Sequence, residues 1–304
     1  MKVVALAGGT GSAKLLRGLN RLDVDLTVIA NVGDNIWIYG VYVCPDVDIA
    51  CYSLAGIADH EKGWGIEGDT FRVLSTLGQL GVRTWFALGD QDFGTCLART
   101  EMLRAGRSLT ETVEWERGAL GVECRVLPAT DDPVETRILT RKDDLHLQEF
   151  WVRDRGDAEV SGVKYEGASR ARVPDQVRAA LEEADHIVLC PANPITSIGP
   201  MVAIPRLRRL LTASKARKVA LSPMEGGAPF SGPAGKLMLA TGSRPNSGGV
   251  AELYRTFVDT LVVSSLDSAL KPAIEATGVH CVVTDTRLST PQDQLRLAKE
   301  LLAS

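Results

Sequence analysis

A run of small and β-branched residues, Val3-Val4-Ala5-Leu6-Ala7, passes directly into Gly8-Gly9-Thr10-Gly11 and then into Ser12-Ala13-Lys14-Leu15-Leu16-Arg17-Gly18-Leu19. Nothing else in the chain restricts its fold as strongly. A strand buried on both faces is almost continuously apolar. Glycines after it let the backbone turn sharply and approach a ligand closely. The helix that follows aims its free N–H groups back at the turn, where they attract an anion. The turn is not a dinucleotide fingerprint, because Lys14 stands where the third glycine belongs and the second strand, Asp25-Leu26-Thr27-Val28-Ile29-Ala30, runs into Asn31 rather than an acid. Nor is it the phosphate loop of nucleoside triphosphatases, since Ala13-Lys14-Leu15 replaces Gly-Lys-Ser/Thr.

The alternation of strand and helix continues along the chain. Strands are expected over 84–88, 186–190, 218–221, 260–264 and 280–284, and helices over 49–58, 93–105, 108–120, 174–184, 202–213, 248–257, 271–277 and 291–302. Ser108 and Glu111 have the spacing of a capping box, and Asp69 is placed to cap a helix running toward Leu80. Over 122–172 the pattern changes to short strands (124–127, 135–140, 145–152) and polar turns. The reading is one α/β domain over 1–304, a Rossmann-like, mostly parallel sheet with helices on both faces and a small β-rich insertion at 122–172.

Composition excludes several classes of function. With 45% hydrophobic and 24% charged residues the chain has ample core, and a net charge of -4 supplies no basic face for nucleic acid. Six cysteines are scattered without a Cys-x-x-Cys pair, so free structural thiols are expected, and four histidines lack ligand-like spacing, which argues against zinc. No apolar run approaches the roughly 20 residues needed to span a bilayer, and no signal-peptide pattern opens the chain. A cytoplasmic protein is expected, with no membrane partner.

Four strand-to-loop junctions are rich in Gly, Pro, Asn, Ser and Asp: 8–11, 31–48, 193–200 and 222–235. Loops at strand C-termini converge on one crevice in such folds. Thr10, Asn193, Thr196 and Ser197 offer neutral donors that suit the phosphates of a nucleotide. Asp34, Asp46, Asp48, Asp90 and Asp92 form a second group, able to hold Mg²⁺ or to take a proton from an alcohol. Asp46 and Asp48 alternate after Pro45, and in an extended segment they would point the same way. Metal-assisted phosphoryl or phosphodiester transfer fits this inventory. No Gly-x-Ser-x-Gly elbow is present to support covalent catalysis.

The opening turn, Cys44-Pro45-Asp46-Val47-Asp48, Trp64-Gly65-Ile66, Leu88-Gly89-Asp90, Asn193-Pro194-Ile195-Thr196-Ser197-Ile198-Gly199-Pro200 and Ser231-Gly232-Pro233-Ala234-Gly235-Lys236-Leu237-Met238 follow one another in that order. Together they resemble the CofD family, the 2-phospho-L-lactate transferases of coenzyme F420 biosynthesis, called FbiA in actinobacteria. The resemblance covers essentially the whole chain. It implies a small-molecule enzyme that moves a phosphorylated lactate or enolpyruvate from a guanosine diphospho-linked donor to the ribityl hydroxyl of the 5-deazaflavin Fo, with release of GMP and help from Mg²⁺. It implies nucleotide binding by Gly8, Gly9, Thr10, Gly11, Lys14, Asn193, Thr196, Ser197 and Gly199, and Fo binding by Asp34, Trp37, Asp48, Asp90 and Gln91. Asp46 and Asp48 are expected as the catalytic and metal-binding pair, with Trp37 and Tyr39 offering flat faces to the tricycle. A homodimer is left open. Asn35 stands where a second acid is usual in the family, and Gln91 where a basic residue is common. The alternative is a nucleotide-sugar-binding regulator of the gluconeogenesis-factor type, whose Asp-Asp-Gly-Gly-Ser-Ser-Gly turn is here replaced by Gly33-Asp34-Asn35-Ile36-Trp37.

Overall fold

The computed structural model describes residues 1–229 and 232–304, so Ser231 of the Ser231-Gly232 motif lies outside the described residues. The first half runs β1 (Lys2–Ala7), α1 (Gly9–Leu19), β2 (Asp25–Ala30), β3 (Ile36–Ile38), β4 (Val41–Val43), α2 (Pro45–Ala55), α3 (Arg72–Gln79), α4 (Asp90–Arg104), α5 (Leu109–Ala119), β5 (Arg125–Pro128), β6 (Glu135–Thr140), β7 (Asp144–His146) and β8 (Val160–Glu166). The second half runs α6 (Asp175–Glu183), β9 (His186–Leu189), α7 (Ile198–Ala203), α8 (Pro205–Ala213), β10 (Arg217–Leu221), β11 (Met224–Glu225), β12 (Ala228–Pro229), α9 (Ala234–Ala240), α10 (Ser247–Tyr254), β13 (Thr260–Ser264), α11 (Lys271–Glu275), β14 (His280–Thr284) and α12 (Pro291–Ala303).

Among the described residues, seven strands form one parallel sheet in the order β14-β13-β10-β9-β1-β2-β5. The continuous apolar runs explain this, because Val3 to Ala7 of β1 and the last three residues of β9 are fully buried between helix layers. Leu15, Leu16 and Leu19 carry the buried face of α1 onto the sheet, and truncating any one of them to alanine costs about 2–5 kcal/mol. From β1 the chain goes first to β2 on one side, and later comes back to β9 on the other. The loops after β1 and β9 therefore part, which opens a crevice at the carboxyl ends of the central strands.

Several expected elements differ. Residues 84–88 form no strand: the backbone of Phe86 satisfies both its polar groups on the Tyr39 hydroxyl, N–H at 2.9 Å and C=O at 3.1 Å, instead of on a sheet neighbour. The expected strand 145–152 stops at His146 and becomes a single turn of π-helix, Glu149–Arg153. Within 122–172, Arg125–Pro128 joins the edge of the main sheet, and the separate antiparallel sheet is β7-β6-β8, whose last strand had no clear sequence signal. The helix expected over 202–213 breaks before Pro205, since proline disfavours helical backbone in the residue preceding it. The capping box of Ser108 and Glu111 is present. All six cysteines are free. No helix among the described residues is long and apolar enough to cross a membrane.

Candidate active site

The glycine turn takes its shape from contacts that only glycine permits. Gly9 starts α1 at φ +69, and a Cβ on Gly8 would lie 2.5 Å from that of Ser197 and 2.6 Å from Asp46 Oδ2. Ser12 completes the turn: its hydroxyl accepts from the Gly8 N–H at 2.9 Å and donates to the Gly8 carbonyl at 2.7 Å. Across the crevice, Asn193 Oδ1 accepts from the N–H groups of Ile195 and Thr196, which folds the 193–197 loop toward the turn. A polar cavity of about 330 Å³ results, lined by Gly8, Gly9, Thr10 and Gly11, by Asp34 and Asp46, and by Asn193, Thr196 and Ser197.

Asn31, the first residue after β2, joins the two sides. Its amide nitrogen lies 2.9 Å from Asp46 Oδ2, 3.3 Å from Asp34 Oδ1 and 3.2 Å from the Thr196 carbonyl, so two carboxylates flank one donor. Asp46 also accepts from the Gly9 N–H at 2.6 Å, on the positive end of α1. Burial pushes the Asp46 carboxyl up to about 6, against the pull of Asn31 and Gly9, and burial with the charge of Asp46 raises Asp34 well above the usual range. Gln148 Nε2 reaches Asp34 at 3.3 Å from the π-turn side.

The expectation that Asp46 and Asp48 share one face is corrected here. Pro45 is the first residue of α2 rather than part of an extended segment, and positions two apart on a helix point away from each other. Asp48 faces α4, where both its oxygens are held by the fully buried Arg99, the Nη1–Oδ2 contact being 3.2 Å, and Glu116 accepts from Arg99 Nη2 at 2.7 Å. Asp48 thus has a countercharge, which it shares with Glu116, whereas Asp34 and Asp46 have only neutral donors. Asp48, Asp92 and the Cys96 thiol lie close enough to hold a metal ion. Arg99 already pairs with Asp48 in that cluster, and Tyr52 donates to Asp92 at 2.8 Å.

A second, largely apolar cavity of about 340 Å³ adjoins the first, sharing Gln148 and Trp151 as a common wall. Ile49, Tyr52, Trp64, Phe86 and Val152 line it, with Asp48 and Asp92 at its floor. Burial raises Asp92 to about 7.

Other expected site residues stand elsewhere. Trp37 packs against Tyr42, ring centres 4.9 Å apart and planes tilted by 40°, in a separate cavity of about 450 Å³ beside Asn35 and Asp131. Asp90 and Gln91 line neither half of the cleft. Asp90 accepts from the N–H groups of Arg72 and Val73, while Asp69 accepts from those of Gln91 and Asp92, so each acid caps the other's helix. Asp69 therefore caps α4 rather than α3. Gly199 admits the Tyr165 hydroxyl, which donates to the Ile195 carbonyl at 2.6 Å. Lys14 lies on the outer side of the turn.

Sequence reasoning passed over Asn31, Arg99, Glu116, Gln148 and Trp151. The one available signal was on α4, where Asp92, Cys96, Arg99 and Thr100 recur at helical spacing and form the buried face.

The family model described as 2-phospho-L-lactate transferase CofD matches residues 3–300. A 2-phospho-L-lactate transferase of Methanosarcina acetivorans is 40% identical over 299 residues, covering 98% of this chain and 97% of that protein. That of Methanopyrus kandleri is 41% identical, covering 99% and 97%. A phosphoenolpyruvate transferase of Streptomyces griseus is 37% identical and covers all of both chains. A Bacillus halodurans crystal structure, described as a member of the upf0052 family, superposes with a TM-score of 0.66 at 18% identity over 99% of this chain and 98% of that one, a likeness of fold alone. With the match running from β1 to α12, this chain belongs to the CofD family.

Proposed function

We propose that the protein transfers a phosphorylated three-carbon acid, lactate or enolpyruvate, from a guanosine diphospho-linked donor to the ribityl hydroxyl of Fo, releasing GMP. The observation that carries this reading is the two-part cleft: a donor-rich polar half with two unbalanced carboxylates, joined through Gln148 and Trp151 to an aromatic half. Diphosphate suits the glycine turn and the hydroxyls of Thr10, Thr196 and Ser197. The flat deazaflavin suits the half formed by Trp64, Phe86 and Trp151. This moves the acceptor from the Trp37 side to the Trp64 side of α2.

The acceptor is a primary alcohol whose proton must be lost as it attacks phosphorus. Asp46, lifted to about 6 and still mostly ionised at neutral pH, has the basicity to take it. The Gly9 N–H and the Asn31 amide hold that carboxylate in place. Asp34 and Asp46, hard oxygen donors side by side without a cation of their own, fit Mg²⁺, whereas Asp48 is already neutralised by Arg99. Bound Mg²⁺ would draw charge from the reacting phosphate oxygens. The 193–197 loop and the glycine turn orient the donor, so that one direct displacement suffices.

Mixing the protein with Fo and each of the two donors, then weighing the deazaflavin product, tests the reading. One donor should yield Fo plus its phosphorylated acid together with GMP. No product from either donor, with Fo fluorescence unaltered by the protein, would refute it.

A further inference from the structure

A smaller cavity of about 150 Å³ lies against the outer side of the glycine turn. Thr10 lines both it and the polar half of the cleft, so one residue separates the two spaces. Its other walls include Lys14 and Arg17 of α1, Ser53 of α2, and His60 and Gly63 of the loop beyond α2. Lys14 and Arg17 follow Thr10 by four and seven positions and share its helix face. At about 1.5 Å rise per residue their backbones lie one and two turns below it. Helical side chains lean toward the N-terminus, which brings both cations back toward the turn. Gly63, at φ +76, lets the loop close on this face, since a Cβ there would stand 3.2 Å from Thr10 Cγ2. The ring nitrogens of His60 lie 2.8 and 2.9 Å from Arg17 Nη1.

The charges here are unbalanced. Asp59, the carboxylate lining this cavity, is already engaged by Lys62 at 2.8 Å and by the N–H groups of Glu61 and Lys62. Arg17 Nε is buried without a hydrogen-bond partner among the described residues, and burial lowers the arginine's affinity for its proton. A half-buried guanidinium that faces no acid is stabilised by an anion from outside the chain. The hydroxyls of Thr10, Ser53 and Ser289 add neutral donors.

We infer that Thr10, Lys14, Arg17 and His60 form the subsite for the carboxylate of the transferred three-carbon acid. This rests on the transferase reading above. In the donor that carboxylate lies one carbon from the oxygen bonded to phosphorus. With the diphosphate on the glycine turn, the nearest cations outside the turn are Lys14 and Arg17, the latter with Nη1 against His60, and their charge suits a carboxylate.

The acceptor Fo has no carboxylate and the product has one, so the two ligands separate the subsite from the rest of the cleft. Deazaflavin fluorescence titrations with Fo and with product are run on the wild type, Arg17→Gln, Arg17→Lys and the exposed-site variant Lys14→Gln, with GMP titrated by calorimetry. Arg17→Gln should weaken product binding about tenfold or more, as loss of a charged hydrogen-bonded pair does, while Fo and GMP change little. Arg17→Lys should recover part of the loss. Product affinity unchanged in both Arg17→Gln and Lys14→Gln would overturn the assignment. An equal loss for GMP would also overturn it, making the cavity a nucleotide-phosphate site. Failure of the wild type to bind Fo would strike the transferase reading itself, and this subsite with it.

Discussion

Replacing Arg99 by methionine tests the electrostatic support beneath the site. The guanidinium is fully buried and is shared by Asp48, Glu116 and the Tyr42 carbonyl. Methionine keeps much of the length and removes the charge, leaving two acids facing each other in a dry space. Breaking a buried ion pair from one side typically costs about 3–5 kcal/mol. The chain has an escape by protonation. Burial lifts Glu116 to about 7 even with Arg99 alongside, and without that cation Glu116 rises further. An acid whose folded pKa is raised holds its proton in the native state while the unfolded chain releases it, so stability falls as pH climbs through that window. The variant widens the window upward. Its deficit should reach about 3–5 kcal/mol near pH 8 and shrink to below about 2 kcal/mol near pH 5.5, where Glu116 is neutral. Urea unfolding followed by tryptophan fluorescence at constant ionic strength measures both. A deficit below about 1 kcal/mol near pH 8, the scale of an exposed pair, or one independent of pH, would refute the reasoning.

Two further outcomes follow from the acids of the cleft. Asp46→Asn keeps the shape of the side chain but only one of its two acceptor oxygens, which now serve the Gly9 N–H and the Asn31 amide, and it removes the basicity, so turnover should fall at least about 10²-fold while metal-free GDP binding persists; single-turnover kinetics with calorimetry checks this, and near-normal turnover would exclude Asp46 as proton acceptor. Asp92, raised to about 7 by burial, opposes folding increasingly as pH climbs from about 4 to 7, by up to about 1.4 kcal/mol per pH unit per proton. Asp92→Asn, which can still accept from Tyr52, should therefore melt higher than wild type near pH 8 and show a shallower decline over that window in differential scanning calorimetry. An unchanged decline would mean that Asp92 does not titrate there.

The sheet was legible because its strands are nearly unbroken apolar runs, and one period is enough to recognise them. Val3 to Ala7 and the last three residues of β9 needed no tertiary information. The segment 84–88 misled for a specific reason: Trp85, Phe86 and Ala87 look like strand, but the partner for Phe86 is a tyrosine hydroxyl forty-seven residues away, which no local pattern announces. The converging loops at 8–11 and 193–197 were likewise readable from their glycines and small donors. The aromatic half of the cleft was not, since Trp64, Phe86 and Trp151 come from three irregular segments whose sequence carries no common period.

The aspartates mark the deeper limit. On the page Asp34, Asp46, Asp48 and Asp92 are equivalent, and only their countercharges tell them apart. Asp48 received Arg99, from a helix that begins more than forty residues later, and so became part of the support that fixes the start of α2. That support matters to chemistry, because the same first turn of α2 carries Asp46 outward to the Gly9 N–H and the Asn31 amide. One end of the helix thus holds two acids with opposite duties: an acid balanced inside the fold gains rigidity, and an acid left with neutral donors keeps its affinity for a proton or a cation. Spacing along the chain assigns neither duty. The deciding quantity is where the nearest guanidinium lies, and α4 places it on one side of α2 only.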